Sequence, residues 1–124
     1  MILGFNKQFV EPILNGSKIH TLREDPNDRW RAGRSIQMAT GVRTKNYDCF
    51  KEDFCQSTQK VFMDFNGYSV EVCIDNRWLT SPEVRQLVNN DGLTYDDFLD
   101  WFFDGRQGRT KWSGKLIHWT DFKY

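Results

Sequence analysis

The feature that most constrains this chain is Asn66-Gly67, which stands between two β-rich runs, Thr58–Asp64 and Tyr68–Ile74. Asn-Gly accepts the left-handed backbone of a tight turn, and between two such runs it is the strongest short-range sign of a hairpin. An antiparallel pair is therefore expected at the centre of the fold. Around it the pattern is strands broken by short helices, without strict strand–helix–strand alternation, so the expected class is α+β around a mostly antiparallel or mixed, curved sheet.

Before the hairpin, Met1–Phe5 reads as a short buried strand. Phe9, Ile13 and Leu14 recur at helical spacing, Pro12 keeps that helix short, and Asn15-Gly16 ends it. Lys18–Glu24 alternates like a strand, with His20 on the face opposite Thr21 and reading as a packed or surface histidine. A loop over Glu24–Arg29 leads to a strand over Ser35–Thr40. Gly41–Gln56 is polar, charged and aperiodic, and reads as a loop excursion.

After the hairpin, Ser81-Pro82-Glu83 has the form of a helix start, with Ser81 as the cap and Val84, Leu87 and Val88 facing inward. Asn89-Asn90-Asp91-Gly92 stops that helix. Thr94 caps the next, with Asp97 three residues on and Phe98, Trp101 and Phe102 as its apolar stripe. Gly105–Gly114 reads as a loop and Lys115–Phe122 as a closing strand in which Trp119 is core. The 124 residues suit one domain, and an aromatic content of 15% supplies enough apolar surface to fold without staples.

Net charge is zero, but residues 1–45 hold eight Lys and Arg against four Asp and Glu, and the remainder is acidic. That balance lacks the overall basicity of a dedicated duplex-DNA binder. Cys49, Cys55 and Cys73 form no C-x-x-C pair and there are only two His, so reduced thiols are expected and neither a metal nor a cofactor is called for. No apolar run is long enough to span a membrane and the N-terminus lacks the form of a signal peptide, which points to the cytoplasm.

The stretch that carries chemistry is Gly16-Ser17-Lys18-Ile19-His20-Thr21-Leu22-Arg23. Thr21 and Arg23 share one strand face, and Lys18 stands where its long side chain can swing to the same side. An ammonium, a hydroxyl and a guanidinium together suit a ligand bearing carbonyl, hydroxyl or phosphate oxygens. Trp30, flanked by Arg29 and Arg31, reads as a hydrophobic anchor for its loop or as a base-stacking residue, and Arg43 and Lys45 are either solvated charges or an extension of the basic patch.

Gly-x-Lys-x-x-Thr-x-Arg after a short N-terminal helix resembles the signature of the ASCH domains, members of the PUA-like superfamily. Trp30-Arg31-Ala32-Gly33 before a strand and the helix–Asp91-Gly92–helix segment fit the same pattern. The resemblance covers most of the chain except roughly 40–58, an apparent insertion around residues 41–57. It implies a PUA-like, small curved β-barrel with short flanking helices. One branch of that family hydrolyses N4-acetylcytidine with a Lys and a Thr of this motif and a Glu further on. The resemblance maps these onto Lys18, Thr21 and Asp91, where Asp is one methylene shorter than the family's Glu.

In that reading Thr21 attacks or positions a water, Lys18 activates Thr21, Asp91 orients Lys18 or shuttles the proton to the leaving amine, and Arg23 holds a ligand oxygen or neutralises Asp91. Three functions are compatible with the sequence: an amidohydrolase acting on an acylated nucleoside, a non-catalytic module that holds single-stranded RNA through Lys18, Arg23, Trp30 and Arg43, and an ASCH-type ribonuclease.

Overall fold

The computed structural model describes residues 1–104 and 108–124. The hairpin is present: β5 (Ser57–Phe65) pairs antiparallel with β6 (Val70–Ile74), Phe65 lying opposite Val70. Asn66 Oδ1 accepts the backbone N–H groups of Tyr68 and Ser69, and Gly67 takes a φ of +98°. Tyr68 is thereby a turn residue rather than the start of the second strand. Asp75 and Asn76, both with positive φ, reverse the chain again into β7 (Arg77–Trp78), a short strand that the sequence reading passes over.

Two sheets result. The remaining strands are β1 (Ile2–Gly4), β2 (His20–Arg23), β3 (Ser35–Thr40), β4 (Asp48–Phe54) and β8 (Lys111–His118). Five strands run in the order β2-β8-β5-β6-β7, and three in the order β1-β3-β4, with β1 parallel to β3. Among the described residues no closed barrel forms, which corrects the expectation of one. Where a ladder between β1 and β2 would be needed, the Arg23 guanidinium instead donates to Gly4 O at 2.6 Å. A side chain, not main chain, joins the two sheets at that point.

The expected loop over residues 41–57 is likewise corrected. Only Gly41–Tyr47 turns, and β4 pairs antiparallel with β3 from Asp48 to Phe54, with a register shift at Met38/Ala39 that leaves Phe50 without a partner in the ladder. This strand is an edge whose side chains, Asp48, Lys51, Glu52 and Asp53 among them, leave no apolar alternation to read. Charges on an edge strand discourage pairing with other chains, at the cost of hiding its periodicity. The closing strand begins and ends four residues before the expected Lys115–Phe122, so Lys111–Gly114 is strand rather than loop. The expected loop also includes residues 105–107, which lie outside the described residues.

Two helices pack on the five-stranded sheet. In α2 (Ser81–Asn90) the cap is Thr80, not Ser81: Thr80 and Glu83 exchange the reciprocal bonds of a capping box. In α3 (Tyr95–Phe102) Thr94 accepts from Asp97 N as expected. Leu87, Val88 and Phe98 meet Met63, Leu116 and Ile117 in the core that both sheets share. Trp101 departs from its expected core position; it is 50% exposed, with its ring edge-on to Phe9. Trp119 is buried, as expected. No helix is long and apolar enough to cross a membrane, the three cysteines are free, and no metal-ligand cluster occurs among the described residues.

Candidate functional site

A short helix, α1 (Val10–Leu14), delivers Lys18 to the middle of the molecule. Lys18 N donates to Pro12 O and Ile19 N to Asn90 O, both at 2.9 Å, so the segment after α1 is tied to the last residue of α2. Asp91 caps that helix, and Gly92 then takes a φ of +81°. The turn folds so closely over Lys18 that a Cβ on Gly92 would lie 3.2 Å from Lys18 Cδ.

Only 2% of Lys18 is exposed. Its Nζ donates to Asp91 O at 2.7 Å and to Asp91 Oδ1 at 3.1 Å. A cation at the end of a helix meets unpaired carbonyls and the negative pole of the helix dipole, so the position suits an ammonium as well as an amine. The Phe9 ring centroid is 4.8 Å from Nζ. On β2, Arg23 Nε donates to Thr21 Oγ1 at 3.3 Å, and the guanidinium lies over Phe5 at 5.0 Å. Lys18, Thr21, Arg23 and Asp91 line one cavity of about 160 Å³, walled by Phe9 and Trp101. Among the described residues no hydrogen bond joins Lys18 to Thr21.

Burial dominates the electrostatics. It pulls the proton affinity of Lys18 below the ordinary lysine value, against the charge and hydrogen bond of Asp91, while Arg23 adds to the lowering. Arg23 is lowered by burial too, partly offset by Asp91. The chemistry available is that of a shielded amine, a hydroxyl and a guanidinium around one small hollow.

Of the residues singled out in the sequence, Lys18, Thr21, Arg23 and Asp91 come together, although Lys18 and Asp91 are separated by 73 positions. Trp30 and Arg43 do not join them. Trp30 is buried in the core, its main-chain N–H donating to Asp25 Oδ2, because the loop folds back under it. Arg43 sits with a φ of +64° in the turn between β3 and β4 and does not line the cavity.

Two further residues are added. His20 is fully buried on the other face of β2, with Nδ1 at 3.3 Å from Asp91 Oδ1 and Nε2 at 2.7 Å from Tyr124 Oη. Strand alternation sets His20 apart from Thr21 correctly, but gives no sign that Asp91 reaches it. For Tyr124 the sequence carries no signal.

A larger groove of about 960 Å³ lies between β6–β7 and α2, lined by Val70, Trp78, Leu79, Val84, Arg85 and Tyr95. It gathers no buried charged groups, so the smaller cavity is the chemical candidate. Comparison of the chain with protein-family models, curated proteins and solved structures finds no match.

Proposed function

We propose that this chain is an ASCH-type hydrolase that cleaves the exocyclic amide of an N-acylated nucleoside of the N4-acetylcytidine kind. The observation that supports it most is the buried Lys18–Asp91 pair at 3.1 Å, opening on a cavity that Thr21 and Arg23 also line. Asp91 occupies two of the positions around Lys18 Nζ, and Cε a third. The fourth holds a proton in the ammonium and a lone pair in the amine, so deprotonation turns Lys18 into a base without moving it.

In this reading Lys18 takes a proton from Thr21 or from a water as either attacks the acyl carbonyl. Arg23 stabilises the developing oxyanion, and Lys18 returns the proton to the departing amine of the base. When Thr21 is the nucleophile, a water then hydrolyses the acyl-threonine ester, releasing the carboxylic acid. A cavity of about 160 Å³ is smaller than the ~300–1,000 Å³ that engulfs a whole drug-sized ligand. The acyl group and the base edge therefore lie inside, and the sugar at the mouth.

The test is turnover of N4-acetylcytidine by purified protein, with cytidine followed by chromatography. Wild type releases cytidine, and Lys18→Met and Thr21→Val do not. No release by wild type ends the proposal. Trp30 is buried and so is not offered to a strand, and Arg43 stands apart from the cavity, so the nucleoside reading draws more support from the geometry than an RNA-strand reading does.

A further inference from the structure

We propose that His20 and Tyr124 are positioning residues: a one-way chain of hydrogen bonds, from Asn90 through Tyr124 and His20, ends on Asp91 and sets how readily Lys18 gives up its proton. The inference rests on the reading of Lys18 as the base.

The direction of the chain follows from what each group can donate. A carboxylate only accepts, so the 3.3 Å contact of His20 Nδ1 with Asp91 Oδ1 requires the proton on Nδ1. In a neutral imidazole Nε2 is then a bare lone pair, and Tyr124, at 2.7 Å, must donate its hydroxyl proton to it. Asn90 Nδ2 can only donate, and at 3.0 Å it satisfies the phenol oxygen. Burial favours the two neutral forms this requires, drawing His20 below and Tyr124 above their ordinary values. Tyr124 is itself clamped. Its N–H donates to Gln59 Oε1 and its main-chain oxygen accepts from Gln59 Nε2, both at 3.0 Å, while His118 Nε2 holds the same Oε1 at 2.9 Å.

The charged and titratable groups facing Lys18 are Asp91 from the end of α2 and His20 and Arg23 from β2. Those facing His20 are Asp91, Lys18, His118 from β8 and Tyr124. Lys18 and His20 share a single acceptor atom, Asp91 Oδ1. The His20 N–H therefore takes part of the negative charge that would otherwise hold the Lys18 ammonium. Loss of that donor, or of the Tyr124 hydroxyl that polarises it, raises the proton affinity of Lys18.

The experiment is an NMR pH titration of the Lys18 side chain in isotopically labelled full-length protein, its signal assigned by its absence in Lys18→Met. His20→Asn keeps an N–H donor where Nδ1 was and titrates like wild type. His20→Gln withdraws that donor and moves Lys18 up by about one unit, and Tyr124→Phe moves it the same way by a few tenths. The acid limb of the hydrolysis profile moves with it. Folded His20→Gln and Tyr124→Phe proteins that titrate as wild type, or shift downward, overturn the proposal. Nitrogen shifts of His20 in the unmutated protein give a check that needs no variant: an Nε2–H tautomer also overturns it. If wild type cleaves no acylated nucleoside while the Lys18 shifts appear, the functional reading fails and the relay stands.

Discussion

His118 makes the protein sensitive to acid in a way that can be worked out from its surroundings. Its ring is fully buried, Nε2 is bonded to Gln59, and among the described residues Nδ1 has no hydrogen-bond partner. Burial, with the nearby His20 and Lys123 adding to it and Asp75 opposing, pushes its pKa down to about 4. In the unfolded chain a histidine titrates near ~6.5. Between those values the unfolded state binds the proton and the folded state does not, so stability falls as pH falls. Linkage gives a loss of about 2 kcal/mol from this one group between about pH 7.5 and about pH 5, complete only below the folded value. His20 is lowered as well and adds in the same direction. Urea unfolding across that range checks it, with His118→Gln as the control. The variant has its own baseline, but it loses about 2 kcal/mol less than wild type over the same interval. Equal losses in the two proteins would refute the reasoning, because they would mean that His118 is free to protonate in the folded state.

Other outcomes follow from single contacts. Gly92→Ala imposes both a left-handed backbone and a Cβ 3.2 Å from Lys18 Cδ; it costs about 1 kcal/mol or more in urea unfolding and slows amide cleavage, and unchanged turnover argues against Lys18 as the base. Trp30→Ala empties a core position and costs about 3–5 kcal/mol by the same assay, whereas a merely loop-stacked tryptophan would cost little. Arg43→Gln leaves cleavage unchanged, and a loss of ligand affinity there would revive the RNA-strand reading. Thr80→Ala removes the observed cap of α2 and costs about 1 kcal/mol, while Ser81→Ala costs almost nothing.

What could be read from the sequence was what local chemistry dictates. Asn66-Gly67 marks a hairpin because few residues accept its turn, and the Lys18, Thr21, Arg23 trio is visible because alternation along a strand fixes faces. The strand inside the 41–57 segment is invisible to pattern, because β4 draws its order from the main chain of β3 rather than from apolar side chains of its own. Barrel closure is not legible either, because nothing in a strand pattern tells whether two edges are laced by main chain or bridged by a side chain such as Arg23. Helical spacing assigns Trp101 to the core, but does not reveal that its ring lies half exposed at the cavity wall, edge-on to Phe9. Asp91 was placed through a resemblance and a helix stop. Its partner His20 was missed because the bond between them depends on how α2 ends against β2.

One side chain, Arg23, both bonds the main chain of β1 at Gly4 O and lines the hollow. The group best suited to meet a guest's oxygen is therefore also the one that touches the N-terminal strand, which puts the hollow within one side chain of the seam between the sheets.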